Sequence, residues 1–195
     1  MRAAVLLVLA LVACTPDIVS DSYLCGPNEA CPDDQVCNGP DNHCVLPSGV
    51  QPFACTPKIA TEPDNTAQEA HVLPDLGCVS VPFIDENCML ENDAEDWVKL
   101  AAPACAAVQI EAVVTFPVAF ERIKLELWDL DHMTNLGEDV QCPQVGEEGE
   151  ELRCLTKTLV SGTNYGIQVK PAGDGDCDGD CRFNRYTLRV QLSTP

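Results

Sequence analysis

Residues 122–130 read RIKLELWDL, and this stretch decides the fold class. Ile123, Leu125 and Leu127 alternate with charged residues, so apolar side chains fall at every second position. Successive side chains of a strand point to opposite faces of a sheet, whereas an α-helix repeats its apolar face every three or four residues. The stretch therefore predicts a strand with one buried and one solvent-facing side.

The same pattern extends over much of the chain. Short runs rich in Val, Ile, Thr and aromatic residues are separated by turn residues, as is typical of an antiparallel β-sandwich. Residues 65–72 are the one helical candidate. The other predicted strands are CVSVPFI (78–84), DWVKLAA (96–102), AVQIEAVVTF (107–116), LRCLTKTLV (152–160), NYGIQVKP (164–171) and FNRYTLRVQL (183–192).

The N-terminus reads MRAAVLLVLALVACTPD. A basic residue before an apolar run too short to span a bilayer is typical of an export signal. Residues 11–14, LVAC, resemble the bacterial lipobox, whose cysteine is lipidated and becomes the new N-terminus. We therefore predict a signal peptide at 1–13, a lipid anchor at Cys14 and a tether at 14–22. The alternative is an ordinary signal peptide in which Cys14 is incidental.

The lipid anchor would place the protein in the bacterial cell envelope. By analogy with enteric bacteria, Thr15 after the lipid cysteine favours the outer membrane over the inner one, with the protein periplasmic or surface-exposed. The net charge of −20 becomes −21 once Arg2 is removed with the signal peptide. Such an acidic surface repels nucleic acid and anionic lipid headgroups, so we expect neither as a partner.

The chain contains 13 cysteines, and 12 remain when Cys14 is set aside. No C-x-x-C pair typical of zinc or thioredoxin sites occurs in the sequence. In an exported protein an even number of cysteines indicates disulfides. We therefore predict six bridges.

Residues 23–47 form a separate cysteine-rich knob, followed by a Pro-rich linker at 48–61. Its apolar residues are too few for a core, so it requires covalent staples. The spacing C-x5-C-x5-C-x6-C resembles that of small EGF-like knots, and this resemblance implies the interleaved pairing Cys25–Cys37 with Cys31–Cys44. A protein-binding role and a rigid spacer both fit such a knob.

Residues 62–195 resemble the bacterial pre-peptidase C-terminal (PPC) domain, which is related to the collagen-binding domains of clostridial collagenases. Five stretches carry the resemblance in order: EPDNTA (62–67), DAEDWVKL (93–100), LELWD (125–129), LVSGTNYGIQV (159–169) and YTLRV (186–190). The resemblance implies a jelly-roll-like β-sandwich without a catalytic centre, which aids the export, attachment or substrate binding of secreted enzymes.

The resemblance also implies a calcium site, because relatives bind Ca²⁺ through acidic and amide side chains at the opening motif and before the second strand. The matching positions are Glu62, Asp64, Asn65, Asp93 and Asp96. Oxygen ligands from two segments suit calcium, which takes six to eight of them. In the alternative, Asp64 and Asn65 cap a turn or short helix at 66–72.

The sandwich carries eight further cysteines. Proximity in sequence pairs Cys78 with Cys88, Cys142 with Cys154 and Cys177 with Cys181, which leaves Cys55 with Cys105. The acidic run QVGEEGEE (144–151) is predicted to be a solvated hairpin tip.

The run GDGDCDGDC (173–181) is a second, weaker calcium candidate. Asp174, Asp176, Asp178 and Asp180 include the D-x-D-x-D-G opening of an EF-hand loop, but the twelfth position holds Arg185 instead of the bidentate glutamate. We favour a hairpin loop closed by Cys177–Cys181.

We predict no enzymatic activity. His43, His71 and His132 form no H-E-x-x-H motif, and no G-x-S-x-G motif occurs. Trp97 and Trp128 are predicted to pack in the core. The expected function is a non-catalytic envelope lipoprotein that binds an extracellular protein or polysaccharide, or acts as a scaffold, with Ca²⁺ as the one cofactor considered. The alternative is an accessory protein or inhibitor of a separately encoded secreted hydrolase.

Overall fold

The structure is a computed structural model of the chain, and it describes residues 19–54, 63–89, 95–173 and 184–195. In these ranges the regular elements are strands and two 3₁₀ turns, at Pro27–Glu29 and Pro47–Gly49. No helix in the described ranges has the length and apolarity to cross a membrane. The strands are β1 (Val36–Cys37), β2 (Cys44–Val45), β3 (His71–Val72), β4 (Phe83–Met89), β5 (Asp96–Leu100), β6 (Ala107–Pro117), β7 (Ile123–Asp129), β8 (Thr134–Glu138), β9 (Val140–Gln141), β10 (Glu150–Val160), β11 (Tyr165–Pro171) and β12 (Asn184–Ser193).

Ten of these strands form two five-stranded sheets. The first sheet has the order β4-β12-β6-β10-β9, and the second has the order β3-β5-β11-β7-β8. Every pairing within them is antiparallel except that of β3 with β5. The predicted fold class, a mainly β protein with an antiparallel sandwich, is confirmed.

The core lies between the two sheets and follows the alternation seen in the sequence. Ile123, Leu125 and Leu127 of β7 are fully buried, as RIKLELWDL predicts. Facing them, β6 contributes a row of inward side chains that are at most 1% exposed: Val108, Ile110, Ala112, Val114 and Phe116. One continuous apolar cluster joins both sheets, which is the burial that stabilises a sandwich.

The prediction for residues 78–84 was wrong in its position. Val79 and Val81 are 66% and 84% exposed, and the strand begins only at Phe83, after Pro82. Proline lacks the N–H that a ladder needs, so the strand starts beyond it. Residues 65–72 are not a helix either, because a turn closed by Glu69 N donating to the Thr66 carbonyl leads directly into β3.

The knob is held by the predicted interleaved disulfides, Cys25–Cys37 and Cys31–Cys44. It packs on the turn between β6 and β7, where Cys25 and Cys44 form a buried cluster with Ala119 and Phe120. Phe53, in the segment after the knob, meets the Phe120 ring edge-on, with 5.2 Å between ring centroids. The knob is therefore docked on the sandwich.

Gly39 permits a close approach of two backbones inside this docked unit. A Cβ atom at Gly39 would lie 2.3 Å from the Phe53 nitrogen. The Gly39 N–H donates to the Gln51 carbonyl, and the Gln51 N–H donates to Asn38 Oδ1. Only glycine fits here, and the segment that carries Phe53 is thereby fastened to the knob.

Two of the predicted sandwich disulfides are wrong. Cys78 bonds Cys105, with 5.9 Å between Cα atoms, so neither Cys78–Cys88 nor Cys55–Cys105 forms. Cys78 precedes β4, whereas Cys88 lies near the far end of that strand, about 17 Å from its first residue at ~3.3 Å per residue. The Cα atoms of bridged cysteines must lie close together.

The other cysteines of the sandwich divide between the described and the undescribed ranges. Cys142–Cys154 forms as predicted, and Cys88 is itself disulfide-bonded. Cys55, Cys177 and Cys181 lie outside the described residues, as does the lipid-anchor candidate Cys14.

Candidate functional site

The predicted calcium ligands fall partly within the described residues. Asp64 and Asp96 are 1% and 0% exposed, and the Asp64 carbonyl accepts a hydrogen bond from Trp97 N at 2.8 Å. The opening segment and the start of β5 therefore lie side by side, as the calcium prediction requires. Glu62 and Asp93 lie outside the described residues, as do Asp174, Asp176, Asp178 and Asp180 of the second candidate.

The two buried aspartates meet at Tyr186, which β12 contributes from the first sheet. The buried Tyr186 hydroxyl donates a hydrogen bond to Asp96 Oδ2. Its pKa is raised well above the usual value, first by burial, then by the charge and hydrogen bond of Asp96, and then by the charges of Asp85 and Asp64. One carboxylate thus accepts the hydrogen bond of the phenol and two more are near enough to act on it by charge, and we call Asp64, Asp85 and Asp96 the carboxylate cluster.

Asp85 is the member that sequence reasoning missed. It lies on β4 and points inward at 2% exposure, opposite Leu188 of β12. Its Oδ1 atom has no hydrogen-bond partner among the described residues. Burial raises its pKa, while the charge of His71 and the backbone N–H of Glu86 act in the opposite direction.

The one sign of Asp85 in the sequence is a polar residue at an inward position of β4. It cannot be recognised without knowing the register of that strand. In the run FIDENCM the apolar residues do not alternate, so the inward face cannot be read locally. The structure turns Asp85 and Asn87 inward, at 2% and 4% exposure. Polar residues at inward positions of an edge strand are the mark of this site.

The carboxylate cluster bridges the two sheets at their β3 and β4 edges. Asp85 and Tyr186 come from the first sheet and Asp96 from the second, while Asp64 precedes β3. A buried carboxylate must be protonated, hydrogen-bonded or paired with a cation, because desolvation penalises its charge. Hard oxygen ligands of this kind match calcium.

The turn that follows Asn65 is held by side chains of its own residues. The turn is closed by Thr66, whose Oγ1 atom accepts the Glu69 N–H at 3.3 Å and donates to the Glu69 carboxylate at 2.9 Å. Residues 66–72 therefore form a turn and no helix, and the capping of this turn by Asp64 and Asn65 stays a prediction.

Within the described residues, three metal-binding side chains have ligand atoms within 4.8 Å of one another in two places. One group, Cys25, Cys31 and Cys44, is already oxidised into disulfides. The other is the exposed group Asp21, Asp41 and His43 in the knob. The oxygens of the carboxylate cluster are spread around Tyr186 and do not converge this closely.

Comparisons with known proteins find a likeness to solved structures. No family model matches the chain, and no curated protein matches it. A solved structure that is similar to it is the pre-peptidase C-terminal domain of collagenase from Bacillus anthracis, with 14% sequence identity and a TM-score of 0.42. The match covers 62% of this chain and 93% of that one.

The two tryptophans are packed together, and Trp97 but not Trp128 is buried as predicted. Trp97 and Trp128 lie on the outer face of the second sheet, opposite the core residues Val98 and Leu127, with 5.8 Å between ring centroids. Trp97 is 4% exposed. Trp128 is half-buried and donates from Nε1 to Gln168 Oε1 at 3.2 Å. Alternation decides this, because Asp96 points inward and its neighbour must point outward.

The three histidines lie on separate elements. His43 is in the knob and contacts the Asp41 carbonyl, and His71 is on β3. His132 is in the β7–β8 turn, where the hydrogen bond and charge of Asp129 raise its pKa.

Proposed function

We propose that this protein is a non-catalytic binding or scaffold module of the bacterial cell envelope, anchored by a lipid on Cys14 and stabilised by calcium. The observation that carries the proposal is the carboxylate cluster around Tyr186. Calcium is the cofactor whose chemistry best suits buried carboxylates contributed by two sheets and an N-terminal segment.

The burial of the cluster supports a structural role for its acids over a catalytic one. Asp64, Asp85 and Asp96 are at most 2% exposed, so a substrate has no access to them. A general acid and base must lie within hydrogen-bond reach of the reacting group. A small ion held between the sheets needs no such opening, and it would join strands that otherwise belong to different sheets.

The disulfides support a location outside the cytoplasm. Four bridges among the described residues, two in the knob and two in the sandwich, are typical of proteins in oxidising compartments. This agrees with the export signal predicted at residues 1–13. The alternative role, an accessory or inhibitor of a separately encoded hydrolase, stays a prediction.

Calcium titration of the full chain, purified in mild detergent and freed of metal with EDTA, tests the proposal. We expect calcium to bind and to raise the thermal unfolding midpoint, because a ligand bound only to the folded state stabilises it by mass action. Asp96→Asn should weaken both effects strongly. Asp33→Asn, at an exposed aspartate of the knob, is the matched control and should leave both unchanged.

Two results would count against the proposal. An unchanged midpoint at millimolar calcium would mean that the carboxylate cluster is a proton-bearing part of the core. Equal loss in Asp33→Asn and Asp96→Asn would mean that calcium acts by screening the net negative charge. Lipidation is tested separately, by the mass of the N-terminal fragment from wild type and from Cys14→Ser.

A further inference from the structure

A cleft opens where the knob meets the outer face of the first sheet. Its volume is about 450 Å³, which lies in the range of small-ligand sites. The knob provides one wall and strands β4, β12 and β6 provide the floor. The lining residues that matter below are Asn42, Glu86, Thr115, Glu150, Arg185 and Thr187.

Arg185 is the one cation among the residues that line this cleft. Its Nη1 atom donates to two knob carbonyls, those of Gly39 at 3.2 Å and Pro40 at 2.6 Å. These bonds hold the guanidinium plane in place. Nε and Nη2 make no hydrogen bond to any described residue, so one edge of the group is available.

The available edge is the one that binds carboxylates. In this same protein Arg122 uses its Nε and Nη2 atoms to hold the Glu151 carboxylate, at 3.1 and 3.0 Å. A guanidinium presents these two parallel donors in a rigid fork that matches a carboxylate. Burial lowers the pKa of Arg185, but arginine stays charged in proteins.

The other lining residues determine which further groups a carboxylate ligand of this cleft should carry. Glu150 lines it with a negative charge and Glu86 adds another, within a chain of net charge −20. A purely anionic ligand would be repelled, whereas a ligand that also carries a basic group would be attracted. Thr115, Thr187 and Asn42 offer hydroxyl and amide groups, which hydrogen-bond to peptide groups.

We propose that this cleft binds the free C-terminal carboxylate of a basic peptide segment, with Arg185 as the carboxylate-binding residue. This deepens the proposed function, on which it rests, by giving the binding module a ligand class and a site. The peptide's basic side chain lies towards Glu150, and its backbone lies along the floor of the first sheet.

Two matched peptides test the proposal on the full chain in mild detergent. The probes are acetyl-Ala-Lys-Ala-Ala with a free carboxylate and the same peptide with a C-terminal amide, titrated by calorimetry. We expect the acid to bind at least about tenfold more tightly than the amide, since a charge-assisted bidentate contact is lost with the carboxylate. A probe with Glu in place of Lys should bind more weakly.

Variants of β12 locate the site. Arg185→Lys keeps the charge but lacks the fork, and it should remove most of the preference for the acid over the amide. Arg189→Lys is the control, because Arg189 lies on the same strand and its Nη2 atom donates to Gln191 instead. It should leave the preference unchanged.

Because Arg185 also fastens the knob, a second variant leaves its carbonyl contacts alone. Thr187→Glu places a carboxylate two residues along the same face of β12, about 7 Å away at ~3.3 Å per residue. It should compete for the guanidinium and abolish binding of the acid peptide, while the thermal midpoint stays within a few degrees of wild type.

Equal binding of acid and amide by wild type, or an unchanged preference in both Arg185→Lys and Thr187→Glu, would overturn the proposal, as would no binding of the acid at about 10 mM. Calcium stabilisation is measured on the same samples. Calcium binding without peptide binding would reject only the cleft, and peptide binding without calcium stabilisation would reject only the calcium part of the proposed function.

Discussion

Replacing Asp85 by asparagine should stabilise the calcium-free protein and reduce the effect of calcium. The carboxylate is 2% exposed, and its Oδ1 atom has no hydrogen-bond partner among the described residues. An unsatisfied buried polar group costs about 1–3 kcal/mol, and more when charged. Asparagine keeps the size of the side chain and removes the charge but is still a buried polar group, so only the excess penalty of the charge is regained, and the free energy of unfolding in EDTA should rise by about 1 kcal/mol at pH 7.

Calcium should reduce this difference in stability. At a concentration 100 times the Kd, a bound ion adds about 2.7 kcal/mol to the wild type, whereas a site weakened tenfold by Asp85→Asn gains only about 1.4 kcal/mol at that concentration. Urea unfolding followed by tryptophan fluorescence, with disulfides intact, measures both quantities. Asp33→Asn is the control.

The pH dependence gives a second, independent check on Asp85. Burial raises its folded pKa above the ordinary 3.8, so the folded state binds this proton more tightly than the unfolded state does. Stability from this group is complete below the unfolded pKa and is lost as pH rises through the folded pKa, with a slope of at most about 1.4 kcal/mol per pH unit. In EDTA the advantage of Asp85→Asn should therefore shrink towards pH 4. A variant that is destabilised in EDTA, gains as much from calcium as wild type and has the same pH profile would refute the reasoning.

Three further substitutions test the contacts that hold the structure together around the calcium site and the cleft. Gly39→Ala places a Cβ atom 2.3 Å from the Phe53 nitrogen and should undock the segment after the knob, detected as faster proteolysis there in native protein. Tyr186→Phe removes the hydrogen bond to Asp96 and should cost about 1.5–3 kcal/mol in urea unfolding; an unchanged midpoint would contradict the contact. Changing both Cys78 and Cys105 to alanine removes the bridge across a sequence separation of 27. The free energy of unfolding should fall by about 3.6 kcal/mol on the chain-entropy relation. A loss under about 1 kcal/mol would argue against a structural bridge.

Most strands could be predicted from the sequence because alternation is a local property. β7 and β12 can be predicted as strands from a handful of residues. β12 alternates buried and less buried positions throughout, whereas β7 buries its apolar positions as expected but also buries Glu126. β4 could not be placed in the same way. Its inward positions hold Asp85 and Asn87, which a local pattern assigns to the solvent side, and this is why the predicted strand ended at residue 84, before them.

The candidate site was predicted only in part, for a related reason. Asp64 and Asp96 were predicted as calcium ligands through a family resemblance, and the structure places both beside Tyr186. Asp85 comes from a third segment that no motif marks. The disulfides divide in the same way, since the short Cys142–Cys154 link was readable from sequence proximity whereas Cys78–Cys105 was not.

The sequence by itself determined the class of this protein: a stapled knob followed by a β-sandwich, with twelve cysteines after the lipid-anchor candidate and an acidic surface. These properties depend on composition and on short periodic patterns. The tertiary structure decided which distant residues meet. In the sequence, Arg185 is notable only because it holds the position at which an EF-hand loop has glutamate. The docking of the knob makes it the cation of a cleft. A side chain's neighbours across a sheet or between two sheets depend on strand order and register, and neither is written in the residues beside it.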